Sequence, residues 1–264
     1  MNTLYTTLWL ITYAYATPLG YYKTLEVCQT AAAQFHGPAA SQMLCVPSEI
    51  AMPAAGNNTQ QSVAPVAAAT APAAAAPAVD IERVSTVGAP FIGDPKAPVT
   101  MALWFDYQCP FCKRLEETVM PQLFNDYVKK GKLRIVFKDL AFLGADSQTA
   151  AQAARAIWEM APDKFYEWHK AMFEKQGREN SGWASKQNIL ALAKAIPDID
   201  ATKLESLMAS HETDYRKAVE ADGNEGSAFG INGTPGTIIG KQLFSGALPY
   251  EQFKTEIDAE LAPK

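Results

Sequence analysis

Residues 80–264 are predicted to form an α/β domain, and two observations carry that prediction. Val99–Phe105 (VTMALWF) and Leu133–Phe137 (LRIVF) are continuous apolar runs of strand length, which is typical of buried strands. The segment between them, from Pro110 to about Lys130, has the apolar spacing of a helix. A strand–helix–strand unit of this kind implies two parallel strands joined by a right-handed crossover.

The crossover helix should begin at Pro110, bend at Pro121 and end at Gly131. A proline inside a helix breaks the backbone ladder and kinks it, whereas a glycine favours the left-handed conformation that often ends a helix. The apolar positions that define the helix are Leu115, Val119, Leu123 and Tyr127.

The remainder of the domain is predicted to be mostly helical. Five segments have helical apolar spacing, near residues 148–160, 164–175, 186–195, 201–209 and 213–228, with candidate N-caps at Asp146, Ser185, Asp200 and Thr213. Two short strands, Thr237–Ile239 and Leu243–Ser245, and a helix near 249–261 follow. This order of elements is that of a thioredoxin-like core with a helical insertion at about 146–229.

An Ala/Pro-rich segment precedes this domain. Residues 51–79 contain 13 alanines, four prolines and no charged residue. Such a composition cannot bury enough surface to offset the entropy of ordering it, and the spaced prolines oppose a continuous helix. We therefore predict an extended, semi-flexible linker.

Residues 1–50 are expected to form a small α+β unit. We predict strands at 4–15, 21–23 and 42–46, a turn at Thr17–Gly20 and a helix at 25–35. A unit this small usually needs a cross-link, such as a disulfide, to be stable. A Cys28–Cys45 disulfide would close a loop of about 17 residues and stabilise the unit by roughly 3 kcal/mol. Two free buried thiols are the alternative.

Charge and cysteine usage narrow the class of protein. The net charge of −5 argues against a broad nucleic-acid surface. A structural disulfide persists only in oxidising surroundings, which favours an exported protein. Ala14-Tyr15-Ala16 matches a signal-peptidase site, but the first basic residue is Lys23, so a cleaved signal and an ordinary β-strand both remain open. No apolar run approaches the length that spans a bilayer.

The pattern with the clearest chemistry is Cys109-Pro110-Phe111-Cys112, at the predicted strand-to-helix junction. Unpaired N–H groups at a helix start stabilise a thiolate, which is the reactive form in disulfide exchange. Pro110 suits the first helical position, where no N–H is needed. We assign Cys109 as the attacking thiolate and Cys112 as the more buried resolving thiol.

Two other interpretations of this cysteine pair are a zinc site and an ordinary buried pair. A zinc site needs four ligands, usually from two such pairs, and the chain has no second C-x-x-C and no finger-like histidine spacing. The pair could also be ordinary buried cysteines. We expect neither a metal nor a cofactor.

A second motif, Gly233-Thr234-Pro235-Gly236, precedes a predicted strand. A proline there indicates a tight turn or a cis peptide bond. In isolation the turn is favoured. Beside a C-x-x-C core, a cis bond would expose the backbone of Thr234 next to the sulfurs, where it could pair with a substrate strand.

The segments FDYQCPFCKRLEE and NGTPGTIIG, the helical block between them and the lead-in GAPFIGDPKAPVTMALWF resemble the DsbA-like family of thiol–disulfide oxidoreductases over residues 82–262. The resemblance implies a periplasmic or extracytoplasmic enzyme that makes, breaks or reshuffles protein disulfides and is recycled by a membrane or soluble redox partner. It assigns Cys109 and Cys112 as the redox pair, Pro235 as the cis proline and Thr234 as the residue before it.

The chain also departs from that family. The dipeptide between the cysteines is Pro-Phe rather than Pro-His, which implies a weaker oxidant. Threonine before the proline resembles isomerase and reductase relatives as much as oxidases. We expect a disulfide oxidase; the alternatives are an isomerase or reductase assembled through residues 1–50, and a non-catalytic binding module.

Several single residues carry further hypotheses. Asp106 is either a proton shuttle beneath the pair or a strand-end carboxylate. Tyr107, Gln108 and Phe111, with Pro110, are expected to line a peptide-binding surface. Lys138 and Asp139 should form a solvated strand end, and His169 and His211 should be ordinary helix residues.

Overall fold

The computed structural model describes residues 5–11, 16–22 and 43–48 by their backbone, and residues 79–263 in full. The chain divides into two compact units, residues 1–69 and 70–264. No helix in the part of the chain so described is long and apolar enough to cross a membrane.

The first unit contains a three-stranded antiparallel sheet. Strand β1 (Tyr5–Ile11) lies between β2 (Ala16–Tyr22) and β3 (Met43–Ser48). The predicted turn at Thr17–Gly20 is wrong, because these residues belong to β2. Pro18 is accommodated there because β2 is an edge strand and its pairing with β1 is irregular between Leu8 and Trp9.

The cysteine bridge predicted for this unit remains a prediction. Cys45 lies in β3, paired with Leu8 of β1. Cys28, the predicted helix at 25–35 and the predicted linker up to residue 78 lie outside the described residues.

The second unit is built on a mixed five-stranded sheet in the order β4-β6-β5-β7-β8. Its strands are β4 (Phe91–Ile92), β5 (Val99–Phe105), β6 (Leu133–Asp139), β7 (Gly236–Ile239) and β8 (Gln242–Ser245). The central pair β5 and β6 is parallel, as predicted, and the other neighbours are antiparallel. The short edge strand β4 was not predicted.

Burial on both faces of β5 explains its unbroken apolar sequence. Met101, Leu103 and Phe105 face a large core shared with most of the helices, while Ala102 and Trp104 face a smaller one. The chain therefore passes from a strand that is packed on both faces directly into the turn that carries the cysteine pair.

Eight α-helices surround the sheet within residues 79–263. They are α1 (Pro110–Thr118), α2 (Met120–Leu123), α3 (Ala145–Met160), α4 (Phe165–Glu174), α5 (Lys186–Ala195), α6 (Ala201–Ser210), α7 (Glu212–Ala228) and α8 (Tyr250–Leu261). Helices α3 to α7 form the helical block between β6 and β7, as predicted.

The crossover is interrupted rather than bent. Helix α1 ends at Thr118, α2 restarts with Pro121 in its first turn, and a π-type turn follows at Phe124–Val128. Pro121 has no N–H to donate to the preceding turn, so the ladder breaks just before it. Gly131 ends the segment at φ +67°, as predicted.

Two of the four predicted helix caps are confirmed. The side chains of Ser185 and Asp200 accept backbone N–H groups at the starts of α5 and α6. The caps at Asp146 and Thr213 are wrong, because both residues lie inside their helices. Asp146 instead accepts the N–H of Gly182, at 2.9 Å.

Candidate active site

The cysteine pair lies where β5 turns into α1. Cys109 is the N-cap residue of α1 and Pro110 is its first residue. The N–H of Cys109 donates to the carbonyl of Asp106 at 3.0 Å, which closes the turn. Both cysteines are free thiols and both are buried, Cys112 slightly more than Cys109. This is the arrangement that the motif predicted.

The Thr234–Pro235 loop lies against the first sulfur. The peptide bond between these residues is cis, one of the two alternatives that the sequence left open. The Cys109 sulfur lies 3.2 Å from the backbone carbonyl oxygen of Thr234, to which it donates when it is protonated. The structure thus brings Cys109, Cys112 and Thr234 together, although Thr234 follows Cys109 by 125 positions.

The two thiols have opposite electrostatic environments. A hydrogen bond from Cys112 is the largest cause that lowers the pKa of Cys109 to about 6; the Thr234 side chain and the N–H groups of Phe111 and Cys112 also lower it, against the effect of burial. Burial, and then the neighbouring Cys109, raise the pKa of Cys112 well above its ordinary value. At neutral pH one sulfur is an anion and the other keeps its proton.

This asymmetry predicts how the stability of the reduced protein depends on pH. The folded pKa of Cys109 is below its unfolded value, so its stabilisation is complete above the unfolded pKa and is lost as the pH falls through about 6. The folded pKa of Cys112 is instead above its unfolded value. Cys112 therefore lowers the stability of the fold only above about pH 8.5, where its thiol ionises in the unfolded chain but not in the folded one.

We therefore expect the free energy of unfolding of the dithiol form to rise by on the order of 3 kcal/mol from about pH 6 to about pH 8.5, relative to the disulfide form. Urea unfolding of both redox forms across this range measures the difference. Parallel curves for the two forms would contradict the low pKa of Cys109.

Asp106 is buried and has a full set of hydrogen bonds. Its carboxylate accepts the N–H groups of Gln108 (2.8 Å), Phe142 (3.0 Å) and Leu143 (3.1 Å) and the hydroxyl of Ser147 (2.6 Å). Burial raises its pKa, and these hydrogen bonds oppose the rise. These contacts favour the strand-end alternative, in which Asp106 ties the cysteine turn to the start of α3.

The predicted peptide-binding residues divide into buried and exposed ones. Phe111 is 44% exposed, as a substrate-contacting residue should be. Tyr107 and Gln108 are buried, so their assignment to the surface is wrong. The Gln108 side chain instead bonds Leu143, Ser147 and the N–H of Asn180.

Two residues near the pair were missed by the sequence reasoning. The Gln176 amide, two residues beyond the end of α4, donates to the carbonyls of Tyr107 (2.6 Å) and Cys109 (3.1 Å) and so fixes the turn. Phe142, 55% exposed, stands on the loop that Asp106 holds. A single sequence carries no local signal for either, because their partners lie more than 30 positions away.

Within the described residues, no three His, Cys, Asp or Glu side chains converge as a metal site would require.

Comparison with known proteins agrees with this geometry. A family model described as thioredoxin matches residues 85–259. The chain belongs to this thioredoxin family. Disulfide bond formation protein D of Bacillus subtilis is 30% identical over 68% of this chain and 80% of its own length.

Solved structures of thioredoxin-family proteins show the same fold. Oxidised BdbD of Bacillus subtilis has a TM-score of 0.63 at 28% identity, covering 70% of this chain and 98% of its own. The thiol-disulfide exchange protein α-DsbA2 of Wolbachia pipientis has a TM-score of 0.58 at 26% identity, covering 67% and 88%. The expected thioredoxin-like fold and the resemblance to DsbA-like thiol–disulfide oxidoreductases are confirmed.

Proposed function

We propose that this thioredoxin-family protein is a protein thiol–disulfide oxidase, in which Cys109 and Cys112 cycle between a disulfide and the dithiol form. The observation that carries the proposal is the position of Cys109 at the start of α1 and against the Thr234 carbonyl, where its pKa is lowered while burial raises the pKa of Cys112. A sulfur with a low pKa is a good leaving group in disulfide exchange.

The reaction has two exchanges. A substrate thiolate attacks the sulfur of Cys109, forms a mixed disulfide and releases Cys112. A second substrate thiolate then attacks the substrate's own sulfur in that mixed disulfide, and Cys109 leaves as a stabilised thiolate. The substrate gains a disulfide and the protein is left as a dithiol.

The same asymmetry bears on the direction of transfer. Stabilising the Cys109 thiolate stabilises the reduced protein, and a stabilised reduced form makes the disulfide form more oxidising. This favours oxidation over the isomerase or reductase alternative.

The surface beside Cys109 suits an extended protein segment. The Thr234 backbone lies against the sulfur, so a substrate strand could pair with it, and the exposed ring of Phe111 offers an apolar contact. We propose protein dithiols as substrates, a redox partner that re-forms the Cys109–Cys112 disulfide, and an extracytoplasmic location, where new disulfides persist.

Transfer of the disulfide to a reduced protein tests this proposal. We expect one equivalent of oxidised protein to convert one pair of thiols in reduced ribonuclease A into a disulfide while its own dithiol appears. Protein that has been reduced and alkylated at Cys109 is the control and should transfer nothing. Failure of the oxidised protein to transfer would reject the oxidase assignment.

A further inference from the structure

The side chain of Gln176 holds the backbone of the turn that carries Cys109. Its Nε2 donates to the carbonyl oxygen of Tyr107 at 2.6 Å and to that of Cys109 at 3.1 Å. Tyr107 lies beyond the end of β5 at Phe105, so its carbonyl is outside the ladder of the sheet. One carboxamide therefore bonds the turn on both sides of Gln108.

Gln176 is itself held on a packed support. Its N–H donates to the carbonyl of Phe173 on α4 at 3.1 Å. The rings of Phe173 and Trp168 pack against Tyr107, with ring centroids 5.2 and 5.6 Å apart, and the Tyr107 hydroxyl lies 2.8 Å from Nδ1 of His169. These contacts with α4 fix where the carboxamide lies relative to the turn.

The same loop holds the middle residue of the turn. The N–H of Asn180 donates to Oε1 of Gln108 at 2.6 Å, and the Asn180 side chain donates to the carbonyl of Leu143 at 2.7 Å. Residues 107, 108 and 109 therefore each accept a hydrogen bond from the segment 176–180. The bonds from Gln176 act on the backbone, whereas the bond from Asn180 acts on a side chain.

The backbone of Cys109 decides where its sulfur lies. A hydrogen bond from Cys112 is the largest cause that lowers the pKa of Cys109 to about 6, and Thr234 and the N–H groups of Cys112 and Phe111 lower it further, against the effect of burial. Rotation about the Cα–C bond of Cys109, now at ψ 120°, would move the sulfur relative to these donors. A carbonyl held by Gln176 opposes that rotation.

We propose that Gln176 is a positioning residue for disulfide transfer, because its carboxamide holds the turn so that the Cys109 sulfur stays over the start of α1 and against Thr234. The inference rests on the proposed function. In the second exchange, the bond between Cys109 and the substrate sulfur breaks, that substrate sulfur bonds to the second substrate thiolate, and Cys109 leaves with the electron pair. Gln176 favours this step without touching the substrate, because a correctly placed sulfur leaves as a stabilised anion.

Gln176→Met tests this role in the full chain, because methionine is of similar length and has no N–H to donate. The rate of alkylation of Cys109 in the dithiol form, followed on the peptide that contains it, gives the pH midpoint of its ionisation. We expect the midpoint to rise from about 6 by about half a pH unit to one pH unit, the scale of one or two lost hydrogen bonds.

The equilibrium with glutathione is the second measurement. A less stable thiolate makes the dithiol form less stable, so in Gln176→Met the equilibrium should shift by up to about tenfold towards the protein disulfide. A residue that only stabilised the fold would lower the melting temperature and leave both the midpoint and this equilibrium unchanged.

Two further variants at the same position grade the effect. Gln176→Glu keeps the size of the side chain but turns a carboxylate towards two carbonyl oxygens, so it should raise the midpoint more than Gln176→Met. Gln176→Asn keeps the amide on a shorter side chain and should lie between Gln176→Met and the unaltered protein. If circular dichroism shows that Gln176→Met does not fold, Gln176→Glu takes its place.

The matched controls are Gln187→Met and Gln187→Glu. Gln187 is exposed on α5, so the same chemical changes there should leave the midpoint and the glutathione equilibrium as they are. Equal shifts in the Gln176 and Gln187 variants would overturn the positioning role.

The outcomes separate this role from the oxidase assignment. An unchanged midpoint and an unchanged glutathione equilibrium in folded Gln176→Met would reject the role of Gln176 and leave the oxidase assignment standing. Failure of the unaltered protein to oxidise reduced ribonuclease A would reject the oxidase assignment, while a raised midpoint in Gln176→Met would still show that Gln176 acts on Cys109.

Discussion

Cys109→Ser is expected to abolish disulfide transfer completely, because the serine hydroxyl can neither form the mixed disulfide nor leave as a stabilised anion. Cys109 is the only one of the two sulfurs that lies at the start of α1 and against the Thr234 carbonyl. Loss of every turnover in the ribonuclease assay, with a circular dichroism spectrum that shows the protein still folded, is the expected result.

Cys112→Ala complements that variant, because it keeps the sulfur that forms the mixed disulfide and removes the thiol that resolves it. It keeps the Cys109 sulfur and should accumulate a mixed disulfide with glutathione that the missing thiol cannot resolve. Mass spectrometry of the peptide that contains Cys109 should show one glutathione. Cys109→Ser under the same conditions should show none at Cys112, because burial raises the pKa of the Cys112 thiol and leaves little reactive thiolate.

The same variant changes the acidity of Cys109. The hydrogen bond from Cys112 is the largest cause of the low pKa, so removing it should move the pKa upward from about 6. Thiolate absorbance recorded against pH measures the midpoint. A midpoint that stays near 6 in Cys112→Ala would mean that the helix start and Thr234 hold the thiolate by themselves.

Elements with strong local patterning were predictable from the sequence. β5 has the predicted bounds, Val99–Phe105, because burial on both faces leaves an unbroken apolar run. The insertion helices were found because each buries one apolar stripe. Cap positions were less predictable, since Asp146 and Thr213 have suitable side chains but lie one or more residues inside their helices.

The active site shows the same difference between features set by local sequence and features set by long-range contacts. Cys109, Pro110 and Cys112 form a local motif whose geometry follows from a helix start, so the sequence predicted it. Gln176 and His169 reach the site only because α4 packs back onto α1 and β5. Such contacts depend on tertiary packing between distant positions, which a single sequence does not encode in any short pattern.

Lys138 and Asp139 show how this limit produces a wrong prediction. Two adjacent charges at the end of β6 suggested a solvated strand end, yet both residues are buried. Lys138 donates to the carbonyl of Ser85 at 2.9 Å, and Asp139 pairs with Arg155 at 2.7 Å. Burial is tolerated because every charge has a partner from a distant part of the chain.

Asp222, on α7, is the centre of this buried network. Its carboxylate lies 2.5 Å from the Lys138 ammonium, also contacts Arg155, and accepts the N–H of Asp139 at 3.0 Å. Glu225 adds a second contact to Lys138, at 2.9 Å. The network therefore joins α7 and α3 to the strand that lies beside β5.

Asp222→Ala should destabilise the protein by about 3–5 kcal/mol, because it leaves Lys138 and Arg155 buried with too little negative charge nearby. The cost is the desolvation of unpaired charge rather than the value of one ion pair. Urea unfolding at neutral pH measures it. The control is Glu220→Ala on the same helix, whose pair with Arg216 is about half exposed and should be worth less than about 1 kcal/mol.

Comparing these two variants distinguishes the loss of a buried charge from the general effect of placing alanine on α7, since the two positions are only two residues apart. Equal losses would mean that the buried charges are compensated in some other way and that Asp222 is not the centre of the network. A large loss confined to Asp222→Ala, with normal glutathione reactivity of Cys109 in the fraction that remains folded, would show that the network supports the fold without acting on the redox pair.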